Sequence, residues 1–111
     1  MDCIFCKIAN GEIPSDKVYE DENFRVILDL SPASKGHMLI LPKSHARDIT
    51  ELQEDIAGKA LVLAAKLGRA SMSALGATGF NTLANTGESA GETALHCHIH
   101  VIPRYDDASS I

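Results

Sequence analysis

At 111 residues, with 45% hydrophobic and 23% charged side chains, the chain has the make-up of one soluble globular domain, which excludes a disordered or fibrous one. A domain of this size buries only somewhat more than ~60% of the surface its unfolded chain exposes, so a bound metal or a partner subunit would be useful extra stabilisation. Ten Lys and Arg against fifteen Asp and Glu give a formal charge of −5, which argues against a general nucleic-acid surface and leaves room only for a local phosphate site. The clearest apolar run, Leu61 to Ala65, is far short of a membrane span, and the segment Met1 to Lys7 has no basic leader, so a cytoplasmic protein with no membrane partner is expected. Two of the three cysteines stand as Cys3-x-x-Cys6, a spacing that in a reducing compartment suggests metal or redox chemistry before a structural disulfide.

Taken in chain order, Cys3 to Asn10 accommodates at most a helical turn or two before Gly11, Pro14 and Ser15 break it. Lys17 to Glu20 and Phe24 to Leu28 flank the polar Asp21-Glu22-Asn23 and predict a hairpin. Ser31 to Gly36 is a loop. His37 to Leu41 is apolar throughout after its histidine and is ended by Pro42, the pattern of a central strand covered on both faces. From Glu54 to Leu75 the residues Ile56, Ala60, Leu63, Ala64, Leu67 and Met72 or Leu75 recur at three- and four-residue steps, predicting one long helix closed by Gly76. A strand near Phe80 to Ala84 and a glycine-bearing loop from Asn85 to Gly91 follow.

The last segment, Leu95 to Ile102, alternates with period two before Pro103. As a strand it places His96, His98 and His100 on one face and Leu95, Cys97, Ile99 and Val101 on the core face. Three adjacent imidazoles cannot all find partners in an apolar interior, so their face must line a pocket or the surface. Spaced about 6.5–7 Å apart, they can flank a phosphoryl-sized group. Imidazole suits nucleotidyl transfer, being partly neutral at pH 7 and nucleophilic at nitrogen. Backbone N–H groups of the Gly87 to Gly91 loop can add anion donors.

The run His96-Cys97-His98-Ile99-His100-Val101-Ile102 resembles the signature of the histidine triad (HIT) superfamily of nucleotide hydrolases and transferases. Cys3 to Ile8, Ile13-Pro14, Val18 to Asp21, Asp29 to Pro32, Gly36 to His45 and Asn85 to Gly87 extend the likeness to the bacterial histidine triad nucleotide-binding branch. The resemblance implies a single HIT domain over residues 1–111 with an α+β fold: an antiparallel sheet of about five strands, one long helix and a short N-terminal helix. It implies that His98 attacks the α-phosphorus of a purine nucleoside phosphoramidate, of the AMP-NH2 or AMP-lysine type, and that the nucleotidyl-histidine is hydrolysed to the monophosphate. His100 would bind the α-phosphate and His37 would orient the triad from behind. Asn85, Gly91 and Thr93 would hold phosphate oxygens, with the Thr93 hydroxyl serving the leaving group, and Asp29 would take the ribose hydroxyls. Phe5, Ile8, Ile27 and Leu30 would line the base slot.

Where the family commonly has Gly-Gln-Ser, this chain has Gly91-Glu92-Thr93. Glu92 would set a carboxylate beside an anionic substrate unless it is protonated, turned outward or met by a cationic leaving group. Zinc in proteins usually takes four nitrogen or sulfur ligands, and the resemblance implies a structural zinc on Cys3, Cys6, His45 and His96, with no catalytic metal and with Cys97 a buried small residue. It also implies a homodimer. Three other readings stay open: a dinucleoside polyphosphate hydrolase of the same mechanism, a hydrolase whose His96, His98 and His100 themselves bind zinc, and a nucleotide-binding module without turnover.

Overall fold

The computed structural model describes residues 3–106. The elements follow the order α1 (Ile4–Ala9), β1 (Lys17–Glu20), β2 (Phe24–Leu28), β3 (Met38–Pro42), α2 (Glu54–Leu75), β4 (Gly79–Leu83) and β5 (Ile99–Arg104). All five strands join one antiparallel sheet in the order β1-β2-β3-β5-β4. This is the expected α+β architecture. No helix among the described residues is long and apolar enough to cross a membrane.

The central strand β3 is buried along its whole length, as its unbroken apolar run requires. Period two then sorts its residues. Met38 and Ile40 join Phe24, Val26 and Val101 against Ala60, Leu63 and Ala64 of α2. Leu39 and Leu41 join Ile27 and Ala9 on the opposite face, where Phe5 and Ile8 of α1 pack over them. The molecule is therefore a sheet between a long helix and a short one. Each large side chain buried in either layer is worth roughly 1.5–3 kcal/mol of transfer free energy.

Helix α2 has the predicted span, and Gly76 closes it in the left-handed conformation at φ 76°. Its last turns differ from the expectation. Met72 and Leu75 are exposed, while Gly68 and Ser71 face inward. The ring of Phe80 on β4 explains the exchange: a Cβ at Gly68 would lie 2.3 Å from Phe80 Cζ, so a glycine gives the helix room to pack on that ring.

The last strand also differs. Pairing of β3 with β5 runs Met38 to Val101, Leu39 to His100 and Ile40 to Ile99, and stops there, so His96 and His98 precede the strand instead of lying on it. Pro42 supplies the reason, since it has no N–H to continue the ladder toward this side. Its carbonyl instead accepts from His96 Nε2 at 3.0 Å, and Cys97 N donates to Ala46 O at 2.6 Å. Leu95, expected on the core face, is 63% exposed because it lies outside the paired region.

Candidate active site and metal centre

The histidines gather on the face of the sheet that α1 covers, and each finds a different partner. His98 Nδ1 donates to its neighbour's carbonyl, His96 O, at 2.9 Å. The ring proton is thereby held on Nδ1, which leaves the lone pair of Nε2 for chemistry. The ring stacks on Phe5 at 5.3 Å between centroids and 14° between planes, and meets His100 edge-on at 5.1 Å.

Behind His98 lies a short chain of polar contacts. Ala33 N donates to His37 Nδ1 at 2.9 Å, so in neutral His37 the proton sits on Nε2. That nitrogen is 2.9 Å from His100 Nδ1 and 3.4 Å from Asp29 Oδ2. The hydrogen-bond sense follows: His37 donates to His100 Nδ1, and neutral His100 carries its own proton on Nε2, ready for an anionic oxygen. Burial holds the pKa of both rings below the usual histidine range, partly offset by the Asp29 carboxylate. The neutral forms needed for this relay are thus favoured at neutral pH.

Asp29, His37 and His100 lie close enough to suggest a cation site. The tautomer argues otherwise. Metal ligation at His37 Nε2 needs a proton on Nδ1, the atom that already accepts from Ala33 N.

Asp29 Oδ1 accepts from Ser31 N at 2.9 Å, and Oδ2 faces the His37–His100 pair, so each oxygen retains a lone pair. An open cleft of about 440 Å³ runs from Asp29 past Pro32 and Lys35 to His37. The larger cleft, about 670 Å³ between α2 and the β1–β2 turn, contains none of the histidines, so chemistry marks the site better than size. Of the expected base-slot residues, Phe5 and Ile8 are half-buried beside Ile27, which is a core residue at 5% exposure, while Leu30 is 91% exposed.

The loop before the triad contains one turn of 3₁₀ helix, Glu88–Ala90. Gly91 closes the turn at φ 94°, and a Cβ there would lie 3.5 Å from Asn85 Nδ2, so the backbone passes close beside Asn85. Thr93 is exposed. Glu92 is buried, and its carboxylate points into its own loop: Oε1 accepts from Gly87 N at 2.6 Å, while Oε2 faces Arg47 Nε at 3.8 Å. Sequence reasoning placed this charge near the substrate and missed Arg47, whose distance along the chain gave no signal.

On the other side of His96 is a Cys2His2 cluster. Cys6 Sγ lies 3.1 Å from His45 Nδ1 and 3.3 Å from His96 Nδ1, Cys3 Sγ lies 3.5 Å from His96 Nδ1, and all four ligand atoms fall within 4.8 Å of one another. The donors suit a divalent ion. Because His96 Nε2–H is given to Pro42 O, its Nδ1 presents a lone pair to the cluster, the outer-shell arrangement that orients metal-bound imidazoles. Burial, and then the neighbouring Cys3, push the Cys6 thiol up to about 11, so two thiolates here call for a cation. Cys97 is buried on the other side, its thiol likewise raised to about 11 by desolvation. The triad rings do not converge on one point: His96 turns to the cysteines and His100 to His37, which removes the basis for a zinc held by all three.

Comparison with known proteins identifies relatives of the whole fold. The sequence model described as HIT domain matches residues 10–107. Adenylylsulfatase HINT3 of Arabidopsis thaliana is 42% identical over 93% of this chain and 52% of its own length. Adenosine 5'-monophosphoramidase hnt1 of Schizosaccharomyces pombe is 39% identical over 94% of this chain and 75% of its own. Among solved structures, a Zn-bound histidine triad family protein from Mycobacterium smegmatis superposes with a TM-score of 0.93 at 37% identity, covering 100% of this chain and 81% of that one. With the family match spanning nearly all of the described fold, the chain belongs to the HIT domain family.

Proposed function

We propose that this protein is a purine nucleoside phosphoramidase working through a covalent nucleotidyl-histidine. The observation that carries the reading is the His98 ring, with Nδ1–H tied to His96 O and Nε2 left as a nucleophile beside a second neutral imidazole. In the first step the Nε2 lone pair attacks the α-phosphorus. The P–Nε2 bond forms, the bond to the leaving amine breaks, and the amine takes a proton from solvent passed through the Thr93 hydroxyl. Water then cleaves the P–N bond, releasing the monophosphate and restoring His98.

His100 Nε2–H is assigned to an α-phosphate oxygen, Asn85, Gly91 and Thr93 to the other phosphate oxygens and the leaving group, and Asp29 to the ribose. His37 sets the tautomer of His100. Cys3, Cys6, His45 and His96 would hold a zinc ion that fixes the N-terminal helix to the triad segment and takes no part in the reaction. Support for a nucleotide substrate comes from the relatives named for AMP phosphoramidate and adenylylsulfate cleavage, which share the adenylyl group and differ in the leaving group. A homodimer formed through the β4 edge and the adjacent face of α2 completes the reading.

The test is AMP release from adenosine phosphoramidate by wild type and His98→Ala, with intact-protein mass spectrometry of a rapidly quenched reaction. Turnover should fall on the order of a thousandfold or more in the variant, and a transient adenylyl mass should appear on wild type only. Full activity in His98→Ala would falsify the assignment. AMP bound by wild type without any release would identify a non-catalytic module.

A further inference from the structure

Phe5 sits between Cys3 and Cys6 on α1 and lays its ring against His98. At 5.3 Å and 14° the two planes form an offset stack, while the same phenyl ring is tilted by 39° from His96 at 6.2 Å. His98 is off the sheet ladder, so its backbone supplies less restraint than that of His100. The hydrogen bond from Nδ1 to His96 O fixes one atom of the ring. It leaves a swing about that atom that would carry Nε2 off line. The phenyl face on which the ring stacks, with His100 at a steep angle beside it, removes the swing.

We infer that Phe5 is a positioning residue for the nucleophile, holding the His98 ring plane for in-line attack and facing the positive charge that the ring acquires on nucleotidylation. The inference rests on His98 being the nucleophile. When Nε2 bonds to phosphorus, its lone pair enters the P–N bond, the leaving group departs with the electron pair of the broken bond, and Nδ1 keeps its proton. The imidazole thus becomes cationic. A cation over a phenyl face within about 6 Å of its centroid is attracted by the ring quadrupole, so this contact strengthens as the reaction proceeds. The role differs from that of a wall for the base, which would bind substrate and product nucleotides alike without favouring the transfer step.

Phe5→Leu and Phe5→Tyr separate these roles: leucine keeps apolar bulk, and tyrosine keeps the aromatic face. Three quantities are read on zinc-loaded protein: the single-turnover rate of adenylyl-protein formation, the AMP dissociation constant, and the mobility of the His98 ring by side-chain carbon relaxation. Phe5→Leu should slow adenylylation roughly tenfold beyond any change in AMP affinity, and loosen the ring. Phe5→Tyr should recover most of the rate and the rigidity. Weaker AMP binding with an unchanged transfer rate would overturn the inference and make Phe5 a slot residue only. Were wild type to form no adenylyl adduct, the phosphoramidase reading would fail separately. Ring mobility would still decide Phe5: an increase in Phe5→Leu supports positioning, and an unchanged ring refutes it.

Discussion

Glu92 introduces a carboxyl group into the loop expected to receive phosphate, and its side chain turns back onto Gly87 N. A carboxylate closing a turn of its own chain acts as a brace, and its effect on substrate is indirect. Glu92→Gln keeps an oxygen that can accept from Gly87 N and loses only the long contact to the exposed Arg47. The expected cost is below about 1 kcal/mol for Glu92→Gln against about 2 kcal/mol for Glu92→Ala, because deletion leaves the Gly87 donor without its charged acceptor. Urea unfolding of the two variants measures both, and equal losses would show that the Gly87 contact contributes nothing. That Glu92 departs from the family pattern was legible in the sequence. The direction of its side chain was not, since it depends on the 3₁₀ turn bringing residues 87 and 92 face to face.

At the scale of elements, α1 is too short to be stable alone, because a helix of six residues has scarcely paid off its nucleation. Three things hold it: the Cys3 Sγ cap on Cys6 N, the packing of Phe5 and Ile8 on the sheet, and the Cys2His2 cluster. Zinc is expected at about one ion per chain, and its removal by a chelator should lower the unfolding midpoint by more than about 10 °C. Cys6→Ser should reproduce the drop without chelator. Elemental analysis beside thermal melts checks this, and metal-free protein melting at the same temperature as loaded protein would sink it. The elements themselves were largely readable. The long helix emerged from its three- and four-residue apolar spacing, and the hairpin from the polar Asp21-Glu22-Asn23 between two strand-like runs, although β1 turns out to be exposed along its whole length. Where strand pairing ends and which residues line the last helical turns were not readable, because Pro42 and Phe80 act across the fold on segments far away in sequence.

For the whole molecule, the sheet has two unequal edges. On β1, Glu20 gathers Lys17, Arg25 and Lys43 at 3.3, 3.4 and 2.8 Å, cations that hold its carboxyl at about 2 and make this side charged. The β4 edge differs, with Leu83 exposed near a groove that Leu61 of α2 also borders. Charge thus blunts one edge, while the other presents the apolar surface to which the proposed homodimer is assigned. Sedimentation equilibrium should give twice the 11.9 kDa chain mass, and Leu61→Glu should shift the population toward single chains. A monomer at all concentrations would refute the homodimer. The triad motif was visible in sequence at once, whereas the separation of its three rings among three partners required the folded chain.

The end of pairing at Pro42 also divides the histidine segment into two mechanical regimes. His100 lies inside the hydrogen-bonded ladder and His98 just outside it. A group that only receives charge gains from an immovable frame. Under the proposed reaction His98 would travel a fraction of an ångström toward phosphorus and back, within the plane that Phe5 keeps, and its place past the last rung lets it do so without flexing the sheet. The proline that stops the strand therefore sets where this segment is rigid and where it can give.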